Sequence, residues 1–139
     1  MLVYYTVMLL LLFFLLMCKH FICDFALQGR FTGPNDKYLI TSRRLAMHAF
    51  DHSLGTAMVF LFAASFTFAQ GHAVFTSIIL FAVLDHIGHT TIDWLKNNFV
   101  KANNMQHNER QFWVLTSFDQ ILHTSTYFAF VLLFDKLYF

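Results

Sequence analysis

The residues of this chain that could do chemistry are histidines and aspartates, and they recur at one-turn spacing inside apolar segments. The densest group is Asp85, His86, His89 and Asp93. At about 100° per residue, Asp85, His89 and Asp93 advance by only about 40° each around a helix, and His86 falls inside the same arc. Ionisable side chains inside a membrane-spanning helix cost about 2.5 to 3.5 kcal/mol each on insertion scales. A helix face that carries several of them therefore indicates a functional site.

Three other segments repeat the pattern of two ligand-type side chains separated by one helical turn. Imidazole nitrogens and carboxylate oxygens are ligands of zinc and other divalent ions. Such a pair suits two side chains that converge on one ion, as in the metal sites of helical bundles. The metal ligands predicted from this pattern are His20, Asp24, His48, His52, His89, Asp93, Asp119 and His123.

The number of predicted ligands favours more than one ion. A single catalytic zinc ion needs three protein ligands and an open position, whereas two divalent ions about 3.5 to 4 Å apart would use most of the set. Zinc is the predicted metal, with manganese or iron as alternatives. Asp85 or an uncoordinated His86 is the predicted general base. Three further residues are predicted to contact the substrate or to hold the ligands in place, namely Gln28, Gln120 and Asp51.

The composition is that of a membrane protein. The 139 residues are 58% hydrophobic and include nineteen phenylalanines and one proline, while soluble proteins average about 45 to 50% apolar residues. We expect one integral-membrane domain, an all-α bundle of four antiparallel transmembrane helices in up-down-up-down order. The predicted spans are 2–28, 41–68, 73–99 and 112–133. Thr41 or Ser42 is the expected N-cap of the second span, and Gly55 and Gly88 are expected to permit close helix packing.

The positions of the charges give this topology an orientation. In the predicted order all four polar clusters lie on one membrane side, together with eight of the nine lysines and arginines; only Lys136 lies on the other. By the positive-inside rule the clusters face the cytoplasm and both termini lie outside, in the inner membrane of a bacterium.

A net charge of +1 without a basic stripe or a glycine-rich phosphate loop argues against a nucleic-acid partner. The expected partners are the lipid bilayer and a lipid-linked substrate, and a homo-oligomer is left open.

The ordered motifs resemble a family of small bacterial and phage inner-membrane proteins classed as a domain of unknown function. They are His-x-x-x-Asp-Phe-x-Leu-Gln from His20, His-x-x-x-His from His48, His-x-x-Ile-Asp from His89 and Asp-Gln-x-x-His from Asp119. The segment from His48 to Ser53 also resembles the His-x-x-x-His-Ser element of membrane-bound metal-dependent hydrolases of the LexA-binding inner-membrane type. It lacks the arginine that follows their first histidine. This second resemblance implies metal-dependent hydrolysis.

The predicted function is therefore that of a membrane-embedded metal-dependent hydrolase acting on a lipid or lipid-linked substrate. One alternative is a metal-ion binding or transport protein or a proton relay, although the polar clusters stop near the predicted midplane and leave no continuous pathway. Another is a b-type haem protein with paired axial histidines, which leaves the aspartates unexplained. The last is a phage or bacterial membrane effector that binds a host protein and uses the metal only for structure.

Overall fold

Four helices account for most of the residues that the structure describes. The computed structural model describes residues 2–27, 36–66 and 72–138, and these ranges contain no strand. The α-helices are α1 (Leu2–Phe21), α2 (Arg43–Ala64), α3 (His72–Ala102) and α4 (Arg110–Tyr138). A π-helical segment, Ile22–Leu27, continues α1 directly. The prediction of an all-helical protein with four helices is confirmed for the described residues. The first predicted span, 2–28, is not α-helical throughout, because it becomes π-helical at Ile22.

The helices form a ring in which α1 and α3 each pack against α2 and α4. One end of the ring is an apolar core, in which the Phe60 and Phe81 rings stack at a centroid distance of 4.3 Å. This core takes residues that precede the histidines and aspartates along α1 and α3 and residues that follow them along α2 and α4, so neighbouring helices run antiparallel. Its buried members are Leu12, Leu16, Phe60, Ala63, Ile78, Phe81, Tyr127, Phe130, Val131 and Phe134.

Large apolar side chains also cover the outside of all four helices. Leu10 on α1, Met58 on α2 and Phe75 on α3 are each 64% exposed, and Phe118 on α4 is 60% exposed. Contiguous apolar surface of this kind marks contact with a membrane or a protein partner. Two helical stretches, Thr6–Leu27 and Val74–Ala102, are long and apolar enough to cross a membrane. The prediction is thus supported for two spans, and the four-span bundle and its orientation stay predictions.

Hydrogen bonds fix the turn that precedes α2. The Ser42 hydroxyl accepts a hydrogen bond from a backbone N–H in the first turn of α2 at 3.2 Å and donates one to Asp36 at 2.6 Å. This confirms Ser42 as the N-cap. The Asn98 amide on α3 donates to the carbonyl of Tyr38 at 2.8 Å. With the turn held against α3, Lys37 points into the bundle and is only 5% exposed.

The two glycines expected to permit close packing have different surroundings. A Cβ atom at Gly55 would lie 2.6 Å from Cγ and 3.0 Å from Cδ of Lys19, so Gly55 makes room for the stem of that lysine. For Gly88 the expectation is wrong, because no described neighbour comes within 4 Å of the Cβ position.

Gly55→Ala is therefore expected to lower the free energy of unfolding by about 1 to 3 kcal/mol, the usual cost of overpacking. The Lys19 atoms that would clash lie near the root of a buried side chain and cannot swing away. Gly88→Ala is the matched control, and it should be neutral or stabilising by up to about 1 kcal/mol because alanine is the better helix former. Denaturant unfolding of both variants in the same detergent measures the difference; equal stabilities would contradict the expectation.

Candidate metal centre

The predicted ligands meet in one polar layer beside the apolar core. His48, His52, His89 and His123 are each at most 2% exposed, although they come from three different helices. The His89 ring lies between two others, stacked on His52 at a centroid distance of 3.6 Å and on His123 at 4.2 Å. The one-turn spacing seen in the sequence thus delivers each pair to the same layer, which brings together side chains more than sixty positions apart in the chain.

A first donor group consists of Asp24, His48, His52 and His89, which each offer one atom within 4.8 Å of the others. The Nε2 atoms of His52 and His48 lie 3.0 Å and 3.2 Å from Oδ1 of Asp24. Tetrahedral ligands about 2.0 to 2.1 Å from zinc are separated from one another by roughly 3.3 Å. The first group therefore has the composition of a zinc site, and the separations of Asp24 from His48 and His52 match the tetrahedral spacing.

Asp24 reaches this group from the π-helical segment that extends α1. Single turns of π-helix inside α-helices are frequent at functional sites, because the extra residue changes the direction of the side chains that follow it. His20, one turn earlier on the α-helical part, still lies 3.2 Å from Oδ2 of Asp24 through its Nε2 atom. The sequence carried no signal for the π turn.

A second donor group consists of His89, Asp93 and His123, again within 4.8 Å of one another. Nε2 of His123 lies 3.5 Å from Oδ1 of Asp93 and 3.6 Å from Oδ1 of Asp119. The two groups share His89, and Oδ2 of Asp93 is 3.6 Å from Nε2 of His48 in the first group. A carboxylate placed between two donor groups is the arrangement that a bridging ligand needs.

Several polar atoms of these side chains are buried without a hydrogen-bond partner in the described part of the chain. They are Nδ1 of His48, both ring nitrogens of His89, Nε2 of His123 and Oδ1 of Asp119. An unsatisfied buried polar atom costs about 1 to 3 kcal/mol. Divalent ions satisfy imidazole and carboxylate groups together, so the residues present fit a metal centre.

Gln120 contacts residues of both parts of the site, and its predicted role beside the ligands stays a prediction. Its amide nitrogen is 3.3 Å from Oδ2 of Asp24 and 3.3 Å from Oδ2 of Asp119, and its oxygen accepts from Nε2 of His20 at 3.1 Å. Nδ1 of His20 is 3.2 Å from the Tyr127 hydroxyl. His20 thus lies beside both groups, but it belongs to neither of the groups found among the described residues. Its role as a ligand stays a prediction.

Asp85 faces a buried lysine. Oδ2 of Asp85 accepts hydrogen bonds from Nζ of Lys19 at 2.8 Å and from the Thr56 hydroxyl at 2.7 Å. Nζ of Lys19 also donates to the Tyr127 hydroxyl at 2.8 Å and lies 3.5 Å from Nδ1 of His52. Sequence reasoning placed Lys19 among the charges of the cytoplasmic side, but it lies inside the bundle. Asp85 as the general base stays a prediction. The contacts do not favour it, because its Oδ2 atom already accepts hydrogen bonds from Lys19 and Thr56.

The remaining predicted site residues are more scattered. His86 is half-buried on α3 and lies outside both donor groups of the described residues. Asp51 is buried and lines a separate, mostly apolar cavity together with Lys19 and Cys23. Gln28 lies outside the described residues.

A polar cavity of about 320 Å³ opens from the donor groups, and its wall includes cations that sequence reasoning did not assign to the site. Nζ of Lys37 is 3.3 Å from Oδ2 of Asp93, and Nζ of Lys96 is 2.8 Å from Oδ2 of Asp119. Helical spacing in the sequence could have placed two of these cations near the ligands. Lys96 follows Asp93 by three residues on α3, and Arg44 precedes His48 by four residues on α2, so each lies on a helix face that carries ligands. The loop residue His107 also lines this cavity.

Residues 12–138 match the model of a family described as protein of unknown function, DUF3307. The matched range includes every predicted ligand. Neither a curated protein nor a solved structure matches the chain.

Proposed function

We propose a function for this chain as a member of the family DUF3307, to which it belongs: a membrane-embedded, metal-dependent hydrolase. The observation that carries the proposal is the pair of buried His/Asp donor groups that share His89 and border a polar cavity. A purely structural metal site needs no such cavity, because its coordination is closed by protein ligands. A catalytic site keeps an open position next to space for a substrate.

The apolar exterior supports placing this site inside a membrane. Exposed large apolar side chains are not confined to the two helical stretches that are long and apolar enough to cross a membrane. They also occur on α2, for example Leu61 and Phe62, and on α4, for example Ile121 and Leu132. The ionisable side chains of the donor groups, such as His48, His89 and Asp93, are instead buried, which is the distribution that a lipid environment favours. We propose that all four helices cross the membrane and that the cavity opens toward the cytoplasm.

Because one imidazole nitrogen binds one ion, Asp24, His48, His52 and His89 would hold one divalent ion, and Asp93, Asp119 and His123 would hold a second. Zinc is the metal that the mixed histidine and carboxylate set favours. Such ions lower the pKa of a bound water to about 7 and stabilise negative charge on a reacting ester. The chain itself contributes orientation, because Gln120 and Lys96 hold the Asp119 carboxylate and Gln120 also holds Asp24. Asp85 acts on the site indirectly, by fixing Lys19 beside His52.

Two alternatives fit the geometry less well. A transport pathway would have to cross the apolar core, in which Leu16, Phe60 and Tyr127 are fully buried directly beyond the histidine layer. A haem group with paired axial histidines needs its plane between two rings, but His52 and His89 stack in direct contact at a centroid distance of 3.6 Å.

Metal analysis with an activity measurement tests the proposal. Protein purified in a mild detergent is expected to contain between one and two equivalents of divalent metal, and to hydrolyse short-chain phosphoester or carboxylic ester analogues. Chelation should abolish turnover and added zinc should restore it. Asp93→Asn should lose both metal and turnover, because its carboxylate contacts both groups, whereas Asn103→Ala in the exposed loop after α3 should keep both. Folded protein that carries no metal and takes up none on titration would rule the proposal out.

A further inference from the structure

The polar cavity has a charge balance that selects anions once metal is bound. Among its described wall residues the acids are Asp24, Asp93 and Asp119, and the bases are Lys37, Arg44 and Lys96. Three negative charges and three positive charges cancel, with the histidines counted as neutral. Each divalent ion then adds two positive charges, so one ion leaves the cavity at +2 and two ions leave it at +4. A dianionic group is the natural counterpart of such a cavity.

The cations are arranged to bind that group next to the metal ligands. Nζ of Lys37 contacts Asp93, a member of the second donor group, and Nζ of Lys96 contacts Asp119 beside that group. Arg44 lies on the same wall, and its Nε atom is buried without a hydrogen-bond partner in the described part of the chain. A guanidinium presents N–H donors in the geometry of phosphate oxygens, and lysine ammonium groups complete phosphate sites as point charges.

An apolar groove leads outward from this cavity. A space of about 280 Å³ between α3 and α4 adjoins the polar cavity, because Lys96 and Asp119 line both, and the ion pair of these two residues, at 2.8 Å, lies between the two spaces. A larger apolar space of about 840 Å³ shares three residues with the groove. The apolar residues that line the groove are Ile92, Leu95, Phe99, Leu115, Phe118 and Leu122.

We propose that the substrate is a phosphate ester of a long-chain amphiphile, with its phosphate held by Lys37, Arg44 and Lys96 and its hydrocarbon chain lying in the groove between α3 and α4. This inference rests on the proposed function and specifies the substrate class of the same site. A neutral ester would leave the net positive charge of the metal-loaded cavity uncompensated and Nε of Arg44 without a partner. A water-soluble phosphoester would make no contact with the groove. Because Lys96 and Asp119 line both spaces, a single amphiphile with its phosphate in the cavity can reach the groove with its chain.

Binding of a phosphonate tests this without requiring turnover, because its carbon–phosphorus bond is not cleaved by ester hydrolysis. Zinc-loaded protein in maltoside micelles is titrated calorimetrically with dodecylphosphonate and with methylphosphonate, and empty micelles give the partition baseline. Dodecylphosphonate should bind at least about tenfold more tightly, since its chain buries apolar surface in the groove. Arg44→Gln should weaken both ligands by about tenfold or more, the loss expected for a charged hydrogen-bonded pair. Arg43→Gln, at the adjacent exposed position, should not change either affinity.

A second matched pair of variants tests whether the hydrocarbon chain binds in the groove. Phe118→Ala should weaken dodecylphosphonate several-fold and leave methylphosphonate unchanged, because Phe118 lines only the apolar part of the site. Phe75→Ala removes an equally exposed phenylalanine near the start of α3 and should affect neither ligand.

The outcomes separate this inference from the proposed function. Equal affinities for the two phosphonates would overturn the inference in favour of a soluble phosphate ligand. Metal-dependent hydrolysis of neutral esters by a protein that binds no phosphonate would also overturn it, while the hydrolase proposal would stand. Phosphonate binding that responds to both variants, in a protein that hydrolyses no ester, would support the binding site and remove the hydrolase proposal.

Discussion

His89→Ala is expected to reduce bound metal to below one equivalent and to abolish hydrolysis. His89 belongs to both donor groups, and its two ring nitrogens are buried without a hydrogen-bond partner in the described residues. Losing a residue that only orients a ligand costs about 10- to 100-fold in metal affinity or activity. His89 would be a direct ligand in whichever of the two groups holds the ion, so its loss should exceed that range. Elemental analysis together with zinc titration of the purified variant measures it.

His86→Ala is the matched control for metal content, because His86 lies on the same helix three residues earlier and outside both described groups. The variant should bind as much metal as the wild type. Its hydrolysis rate separately tests the sequence-based prediction that His86 is a general base: a normal rate would remove that role. Wild-type metal content in His89→Ala would show that the shared histidine is not a ligand, and the two-group centre would have to be abandoned.

The ligand layer was predictable because helical periodicity alone decides which side chains share a face. Residues one turn apart point the same way whatever the partner helices do, so Asp119 and His123 on α4 could be paired from the sequence. The division of the ligands into two groups could not be predicted in this way. It depends on how far α3 is rotated about its axis, and that rotation puts His89 between His52 and His123.

The site residues that the sequence did not reveal are those fixed by tertiary contacts. Lys37 lies in a turn whose path depends on the hydrogen bond from Asn98 to Tyr38. Lys19 was interpreted as a charge near the membrane surface, since a lone lysine at the end of an apolar segment usually has that role. It enters the interior because Gly55 on α2 leaves room for its stem and Asp85 on α3 supplies a counter-charge. Neither partner is close to it in sequence.

Asp85→Asn is expected to lower the free energy of unfolding by about 3 to 5 kcal/mol, because it leaves the charge of Lys19 buried without its counter-ion. The two side chains are 3% and 6% exposed, and their charged atoms are 2.8 Å apart. Denaturant unfolding in a fixed detergent gives the value. Thr56→Val removes only one hydrogen bond to the same carboxylate and should cost less, about 1.5 to 3 kcal/mol.

The double variant Lys19→Met with Asp85→Leu separates the ion pair from general packing. Removing both charges leaves no uncompensated ion, so most of the stability lost in Asp85→Asn should return, as happens when buried ion pairs are replaced by apolar residues. Metal affinity should still fall, since Nζ of Lys19 no longer holds the Tyr127 hydroxyl, which lies 3.4 Å from Nδ1 of His52. A double variant as unstable as Asp85→Asn would show that the cost lies in packing. One with wild-type metal affinity would show that the Lys19 network does not orient the ligands, and Asp85 would then have only a structural role.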